Sequence, residues 1–360
     1  YGEEYLNQTP EEVSLTQERH SAYYCKAVKE YMDILLAGNS HIAIERISTD
    51  IDNIRRAWNW AIQNEKVVNV NQAINGLSLF YANSWGVEDG LRLNNDAVEM
   101  LSKHLKETSQ DDDHQLCNRL FAKALAWSGF FTFQFDPDRS QTYLDRSQEI
   151  IDELMESGVD ARYEKALLYY LLGINNTDLG NYDIAQKYTN ACFSLSKETG
   201  FDWMVLSALD LLGDIGQSSG SPREAKHWYE KFLAEARAKN NRSNEIRALH
   251  KLGLATRRLM AYDEARSYYQ QGISLAKSYN NPMEETYTLT SLGFLSLFLG
   301  DFAEAIQHFR DVVSISERLG VPQRALNALI HTGFTHWMRA ELNQANTIFE
   351  QVLDQTKGKD

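Results

Sequence analysis

Catalytic and cofactor-binding motifs are the features of a sequence that most directly predict chemistry, and this chain offers none of the strong ones. Nothing matches the phosphate loop GxxxxGK[ST], the dinucleotide fingerprint GxGxxG or the zinc motif HExxH. His331 and His336 are five residues apart, which places them off one helix face. The adjacent carboxylates Glu284 and Glu285 point apart on a helix. We therefore expect a chain that is not an enzyme and holds no metal and no cofactor.

Charge, cysteine content and apolar runs exclude three further classes of protein. The 36 Lys and Arg residues stand against 50 Asp and Glu residues, a net charge of -14, whereas nucleic-acid binding needs a positive field. Cys25, Cys117 and Cys192 form no CxxC pair, which excludes a disulfide scaffold and is typical of a reducing cytoplasm. The longest apolar run, 166–174, is too short to cross a membrane. We expect a cytoplasmic chain with neither nucleic acid nor membrane as a partner.

A repeat with a period of 40 residues organises the second half of the chain. Its glycines are Gly173, Gly213, Gly253, Gly293 and Gly333. Twelve residues after each glycine stands an alanine, namely Ala185, Ala225, Ala265, Ala305 and Ala345. Sixteen residues after each glycine stand Thr189, Tyr229, Tyr269, Phe309 and Phe349, which are mostly aromatic. Self-similarity at a fixed spacing is the signature of a repeat architecture.

Each repeat is predicted to be a pair of antiparallel helices. Turns at 179–182, 219–222 and 299–302 lie between the glycine and the alanine and are of the kind that ends one helix and starts the next. A glycine inside a helix costs about 1 kcal/mol relative to alanine. We therefore expect a second helix to pack against the bare glycine backbone, with the alanine twelve residues later as the matching small residue.

A second set of residues marks the end of each helix pair. Gly200, Asn240, Asn280 and Gly320 follow the repeat glycines by 27 residues. Glycine and asparagine are the residue types that close a helix in the left-handed conformation. These positions predict the C-terminus of the second helix in each pair.

The unit resembles a tetratricopeptide repeat, whose pattern includes Leu-Gly, a later alanine, an aromatic residue and a terminal proline. The usual period of that family is about 34 residues, and the longer period here implies longer helices. The resemblance implies an all-α fold, in which a helical arm is followed by a right-handed superhelix of tetratricopeptide-like helix pairs. Upstream, Gly129 and the helical runs 116–133 and 140–155 predict a degenerate further repeat.

The first hundred residues do not contain the 40-residue repeat, but they resemble a second family. The resemblance is carried by the segment Asp50-Ile51-Asp52-Asn53-Ile54-Arg55-Arg56-Ala57-Trp58-Asn59-Trp60-Ala61. It also includes Arg19, His20, Tyr23 and Tyr24 before this segment and Phe80, Trp85, Gly86 and Gly90 after it. It is similar to the helical junction of signal-transduction ATPases with numerous domains (STAND proteins). In that class a nucleotide-binding domain and a winged-helix domain precede the junction, and a tetratricopeptide sensor follows it. Because the chain begins at Tyr1, we interpret it as part of a longer protein.

Four segments follow from these patterns. Residues 1–19 are predicted to be the tail of a preceding domain, 20–108 the helical arm, 115–158 the degenerate repeat and 159–356 the five repeats. Within the arm, Trp58 shares an apolar stripe with Ile51, Ile54 and Ala61 and is expected to be buried. Trp60 lies about 200° around the helix from Trp58 and is predicted to face the first repeat or the missing winged-helix domain.

The resemblance to tetratricopeptide repeats implies that the first helix of each pair lines the concave face. Residues at a common offset from each glycine would then stack in columns along that face. The candidate binding residues in these columns are Asp210, Asp214, Arg247, His250, Arg257, Tyr287, Phe294, Phe334 and Trp337. In one interpretation the acids pair with the bases of the next repeat and the aromatic rings pack beneath a neighbouring helix. In the other, the charged residues and the aromatic rings together hold a peptide or a small protein.

The function that this layout implies is effector recognition. We expect the inducer-recognition and autoinhibitory region of a STAND-type regulator, with a protein or peptide inducer and the missing nucleotide-binding and winged-helix domains as partners. The alternatives are a passive scaffold that tethers two proteins and a peptide-responsive regulator without an ATPase. The chain by itself is expected to be a monomer without affinity for ATP, because it has no phosphate loop.

Overall fold

The computed structural model describes residues 10–36, 40–84, 86–107 and 112–357, and every regular element within these ranges is an α-helix. The first nine helices are α1 (Pro10–Leu36), α2 (Ser40–Gln63), α3 (Val67–Asn83), α4 (Val87–Glu107), α5 (Asp112–Thr132), α6 (Pro137–Glu156), α7 (Arg162–Asp178), α8 (Tyr182–Thr199) and α9 (Asp202–Ser218). The next seven are α10 (Pro222–Ala238), α11 (Arg242–Arg258), α12 (Tyr262–Ser278), α13 (Pro282–Leu299), α14 (Phe302–Arg318), α15 (Pro322–Met338) and α16 (Leu342–Thr356). The all-α fold of tetratricopeptide-like helix pairs is confirmed. Trp85 and residues 1–9 lie outside the described ranges.

The chain divides into two compact units, Tyr1–Ser219 and Gly220–Asp360. In the first unit, one apolar core extends from Cys25 in α1 to Ala208 in α9. The helices of the predicted arm and those of the first repeats therefore share a core. In the second unit, the buried residues include Tyr269 of α12 and Leu292 of α13, which pack in one cluster. No helix in the described ranges is both long enough and apolar enough to span a bilayer.

The predicted stripe of the arm is buried except at Ile51, which is half-buried against the same core. Ile54, Ala57, Trp58 and Ala61 of α2 are all at most 2% exposed and belong to the core of the first unit. The prediction that Trp58 packs inside the arm is confirmed. Apolar residues at this helical spacing face one side of the helix, and burying that side is what holds the helix against its neighbours.

The repeat glycines contact a different residue from the one that the sequence predicted. A Cβ atom at Gly293 would lie 2.7 Å from the Phe309 ring, and one at Gly333 would lie 2.7 Å from the Phe349 ring. At Gly253 the same atom would overlap the ring of Tyr269. The second helix does pack against the glycine backbone, as predicted, but the nearest residue is the one sixteen positions later, a ring in these three repeats, and not the predicted alanine. The physical reason is that a large ring on the second helix needs the space that a missing side chain leaves on the first.

The turns of each repeat have the backbone conformation that the sequence predicts. Gly200, Asn240, Asn280 and Gly320 all have positive φ, from 47° to 76°. The turns inside the pairs also contain one left-handed residue, which is Gly180, Gly220 and Gly300 in three of them. In the other two turns the same position holds Met260 (φ 63°) and Ala340 (φ 60°). Because these residues have a side chain, the left-handed conformation strains their backbone.

The degenerate repeat upstream is also a helix pair. Asp136 caps α6, where its carboxylate accepts a hydrogen bond from the Arg139 backbone N–H at 3.0 Å. The Ser140 hydroxyl donates to the Gly129 carbonyl at 2.7 Å. A Cβ atom at Gly129 would lie 2.7 Å from Leu144 of α6. Gly129 thus allows close packing of α5 on α6, as the repeat glycines do in the later pairs.

Candidate functional site

The predicted acidic residues lie on α9 in the first unit, where they line a cavity of about 380 Å³. The cavity is lined by Tyr170, Ile174, Thr177, Asp178, Ser207, Asp210, Leu211, Asp214, Gln217 and Ser218. Most of these residues belong to the predicted columns of the first two repeats, so within this unit the columns of α7 and α9 meet. Burial raises the pKa of Asp178 above its ordinary value. The lining thus combines apolar side chains with the three carboxyl groups of Asp178, Asp210 and Asp214.

Ser218 belongs to a motif that the sequence analysis missed. Residues 216–220 read Gly-Gln-Ser-Ser-Gly, which has the GxSxG spacing of a nucleophile elbow. An elbow places its serine on a sharp turn between a strand and a helix. Ser218 is instead the last residue of helix α9. The structural context of an elbow is therefore missing, and the motif gives no support for a catalytic serine.

The predicted basic residues Arg247, His250 and Arg257 all lie on α11 in the second unit and are half-buried. The Nε2 atom of His250 lies 2.8 Å from the Ser291 hydroxyl of α13, which ties the two helices together. Burial raises the pKa of Tyr269 to about 12, and the neighbouring Arg257 guanidinium opposes that rise. Arg257 therefore lies next to the phenol whose ring fills the space at Gly253.

The four predicted aromatic residues lie on α13 and α15 and are exposed. The exposed fraction is 55% for Trp337, 49% for Tyr287, 45% for Phe334 and 37% for Phe294. We call these four residues the aromatic face. A contiguous group of exposed apolar side chains is typical of a binding surface. The interpretation that they pack beneath a neighbouring helix does not describe them within the second unit.

Contacts between α13 and α15 join the aromatic face into one surface. The Phe294 ring meets the His331 ring edge-on with 4.6 Å between the centroids. Three residues further along α15, Phe334 stacks on Trp337 at 5.5 Å. Such geometries are the favourable ones for aromatic pairs. Burial lowers the pKa of His331 below its ordinary value, so this ring is a neutral member of the surface at neutral pH.

Arg324, His331 and Ser291 are residues of this surface that sequence reasoning missed. The Arg324 guanidinium lies 4.0 Å from the centroid of the Tyr287 ring and donates a hydrogen bond to the Thr286 hydroxyl at 2.7 Å. Ser291 and His331 both stand two residues before a repeat glycine. A further column at that offset would have found them, whereas Arg324 lies nine residues before Gly333 and outside any column that the pattern suggested.

Trp60, the predicted interdomain residue, is half-buried on α2. The Lys66 ammonium lies 5.6 Å from the centroid of its ring, within the range of a cation–π contact. The Trp58 side chain, two residues earlier, is 2% exposed. The two tryptophans therefore lie in different environments, as their helical positions predict.

Within the described ranges, no group of three or more His, Cys, Asp and Glu residues is placed to hold a metal ion. The three cysteines are buried and not disulfide-bonded. Burial raises the pKa of Cys25 to about 11 and that of Cys192 to about 12, so neither is a reactive thiolate at neutral pH.

Comparison with known proteins places the fold among tetratricopeptide-repeat proteins. Residues 286–319 match the sequence model of the tetratricopeptide repeat family, and these residues include Phe294 and Tyr287 of the aromatic face. A STAND protein with a tetratricopeptide repeat sensor from Pyrococcus horikoshii is similar with a TM-score of 0.60 and 15% identity. That likeness covers 98% of this chain and 52% of the other, so this chain spans about half the length of that protein.

Two Rap proteins have a similar fold. The apo form of RapI matches with a TM-score of 0.59 and 12% identity over 84% of this chain and 76% of the other. A Rap protein complexed with competence and sporulation factor matches with a TM-score of 0.52 and 14% identity over 94% of this chain and 97% of the other. The comparison with curated proteins gave no match. At these identities the likeness establishes the fold.

Proposed function

We propose that this chain is the inducer-recognition and autoinhibitory region of a STAND-type signal-transduction ATPase, and that it binds a protein or peptide effector. The observation that carries the proposal is the aromatic face, in which Tyr287, Phe294, Phe334 and Trp337 are exposed on two first helices of successive repeats. The STAND protein with a tetratricopeptide repeat sensor, which is similar over 98% of this chain, supports the class of the parent protein.

The chemistry of the aromatic face favours a protein segment as the ligand. Exposed aromatic residues that pack against each other offer a large contact area at low conformational cost, and Trp and Tyr are enriched among residues that dominate binding energy. The basic residues of α11 lie on the neighbouring first helix, where they set orientation and association rate. An amphipathic peptide satisfies both kinds of contact, whereas a sugar or a nucleotide offers few apolar groups.

The mechanism follows from the energetics of a two-state regulator. In the resting state the sensor and the arm hold the nucleotide-binding and winged-helix domains of the parent protein closed. The inducer must bind the released state more tightly than the closed state, because a ligand with equal affinity for both shifts nothing. Release then permits the ATP-driven oligomerisation that the resemblance to STAND proteins implies.

The proposal is tested by using the chain as bait in an extract of its source cell, with two variants of the aromatic face. The wild-type chain should retain a protein or peptide that Trp337→Ala and Phe294→Ala do not retain. Each substitution should weaken binding of the purified ligand, relative to the wild type, by about 2 kcal/mol or more. The control is Phe135→Ala, which removes a 62% exposed aromatic side chain from the first unit.

All four baits must show circular dichroism spectra of a folded helical protein for the comparison to count. Equal retention of the ligand by the wild type and both variants would refute the aromatic face as the binding site. Retention of no ligand by the wild-type chain would refute effector recognition.

A second candidate is a peptide-responsive regulator that contains no ATPase. It is favoured by the likeness to a Rap protein complexed with competence and sporulation factor, because this likeness covers nearly the whole of both chains. The coding sequence upstream of Tyr1 separates the two. A phosphate-loop motif there, together with inducer-stimulated ATP hydrolysis by the parent protein, supports the STAND regulator, and a parent without that motif supports the second candidate.

A passive scaffold is the remaining alternative, and it predicts a different response to the ligand. A scaffold holds two partners at once and leaves the activity of both unchanged. Titration of the parent protein with its ligand therefore separates the cases, since a sensor changes ATP hydrolysis or oligomeric state and a scaffold changes neither.

A further inference from the structure

The first helices of the last three repeats carry an unusual distribution of charge for this protein. Together α11, α13 and α15 contain six Arg and Lys residues and three carboxylates, although the whole chain has a net charge of -14. The three carboxylates, Glu245, Glu284 and Glu285, all stand in the first turn of their helices. The remaining length of each helix bears no acid. These three helices therefore contain more basic than acidic residues, the reverse of the chain as a whole.

The carboxylates in those first turns are already engaged. Glu245 accepts hydrogen bonds from Arg237 at 2.8 Å and from Arg242 at 2.6 Å. Glu285 lies 3.7 Å from the Lys277 ammonium. These acids therefore neutralise charges near the helix starts rather than the arginines further along the surface.

Two arginines at opposite ends of this surface have no carboxylate partner within the described ranges. Arg257, near the end of α11, is half-buried, and its Nε atom is buried without a hydrogen-bond acceptor. Arg324, near the start of α15, is bound only by neutral groups, the Thr286 hydroxyl, the Met283 backbone and sulfur, and the Tyr287 ring. A partly desolvated cation without a counter-ion is costly, so it is a position where an anionic ligand gains the most.

Arg324 contacts the aromatic face, and Arg257 lies on α11, the first helix of the repeat before α13. Tyr287 is in contact with Arg324, and Phe294 is joined to α15 through the His331 ring. Arg324 and Trp337 are thirteen residues apart on α15, a distance of about 20 Å along the helix. A single small carboxylate cannot span this surface, whereas an extended peptide covers it with about six residues.

We propose that the surface formed by Arg257, Arg324 and the aromatic face binds an acidic peptide segment with apolar anchors, the carboxylates lying on the two arginines and the anchors on the aromatic rings. This inference rests on the proposed function and deepens it by assigning the charge and the anchor chemistry of the effector. Arginine binds carboxylates through a planar fork of donors, which gives a specific orientation as well as attraction. Apolar side chains of the peptide remove the exposed rings from water.

The test is selection of peptides from a phage-displayed library of random dodecapeptides on the immobilised wild-type chain. The enriched peptides should carry net negative charge together with aromatic or large aliphatic residues. Synthetic versions of them should bind Arg257→Gln and Arg324→Gln about tenfold more weakly than the wild type. Their affinity should fall as salt is raised. Arg310→Gln, which removes an exposed arginine from α14, is the matched control and should bind as the wild type does.

The outcomes separate this inference from the proposed function. If enriched peptides depend on Phe294 and Trp337 but are neutral or basic, the acidic-segment inference is wrong and effector recognition stands. If no enriched peptide depends on either the arginines or the rings, both are wrong. The thermal unfolding of each variant is measured first. A variant that shows no cooperative unfolding transition is replaced by the corresponding lysine variant, Arg257→Lys or Arg324→Lys, which keeps the positive charge but not the planar fork of donors.

A polyanion of another class is the remaining competitor for the two arginines. A single-stranded oligonucleotide is titrated in parallel with the selected acidic peptides. We expect weak binding without dependence on Trp337. Oligonucleotide binding as tight as that of the peptides, and equally sensitive to Arg257→Gln, would overturn the peptide as the ligand.

Discussion

At the residue scale, the repeat glycines show how one missing side chain positions a whole helix pair. Tyr269 and Phe309 are fully buried, and each ring occupies the space beside a repeat glycine, Gly253 and Gly293. Gly272 in α12 differs, because a Cβ atom there would make an ordinary contact of 3.4 Å with Thr288. Gly158 differs again, because its φ of 85° strains any other residue even in open space. For that reason Gly158 is not the mild site of substitution that exposure alone suggests.

Gly253→Ala should therefore destabilise the chain, while Gly272→Ala should not. The new methyl group at 253 overlaps the fully buried Tyr269 ring, and such overpacking costs about 1–3 kcal/mol. At 272 the methyl group fits, and the better helix propensity of alanine stabilises by up to about 1 kcal/mol. Urea unfolding of the two variants measures the difference. Equal free energies of unfolding would show that the Tyr269 ring does not determine the need for glycine.

His331 should give the second unit a pH-dependent stability. Burial lowers its pKa below the ordinary value of 6.5, so the unfolded chain binds the proton more readily than the folded chain. This contribution to stability is present above pH 6.5 and is lost as the pH falls through the window below it.

The measurement is urea unfolding of the wild type and of His331→Gln at neutral pH and at a pH of about 5.5. The wild type should lose more stability on acidification than the variant, because glutamine does not titrate. If both lose the same amount, His331 does not contribute to the pH dependence, and other groups account for it.

At the element scale, the turns inside the helix pairs show that the repeat geometry requires a left-handed residue, whether or not that residue is glycine. Met260 and Ala340 adopt the left-handed conformation that Gly180 and Gly300 adopt in equivalent turns. The backbone path between the helices is thus preserved where the sequence lacks the residue that favours it. Packing of the two helices imposes the conformation and bears its cost.

Met260→Gly should therefore stabilise the chain by about 0.5–1 kcal/mol. The left-handed conformation costs a non-glycine residue about 1–2 kcal/mol, and part of the gain is offset by the extra freedom of glycine in the unfolded chain. Little burial is lost, because the Met260 side chain is 75% exposed. The reverse change, Gly300→Ala, should destabilise by a similar amount. A lower thermal midpoint for Met260→Gly would contradict the assignment of strain to this turn.

At the scale of the whole molecule, the arm is predicted to connect the sensor to the rest of a regulator, and its two tryptophans should report on this. Trp58→Ala removes a buried side chain of the core and should cost about 3–5 kcal/mol in the free energy of unfolding. Trp60→Ala removes a half-buried ring and a contact to Lys66 and should cost about 1 kcal/mol or less.

If Trp60 faces the winged-helix domain of the proposed full-length parent rather than the first repeat, Trp60→Ala should permit ATP-driven oligomerisation without inducer. The measurement is light scattering of the parent with ATP, in the presence and absence of inducer. Conservative Trp60→Phe, which keeps a ring, should remain closer to the wild type. A Trp60→Ala parent that still requires inducer would remove the autoinhibitory role from this residue.

The helix pairs of the repeats could be predicted from the sequence, because the signals that define them are local. The glycines from Gly173 to Gly333, the turn residues and the apolar spacing each act within one helix pair, and they predicted the pairs and their ends. The burial of Trp58 and the separate environment of Trp60 also followed, since both depend only on positions around one helix.

The residues that fill the space beside each repeat glycine, and the side chains that remain exposed, could not be predicted from the sequence. Tyr269 beside Gly253, Phe294 against His331 and Arg324 over Tyr287 are contacts between different helices. Whether a residue such as Trp337 is exposed depends on the distances and angles at which neighbouring pairs stack, and a period along the chain does not encode these. The binding surface is therefore a property of the packing, while the helices that present it are a property of the sequence.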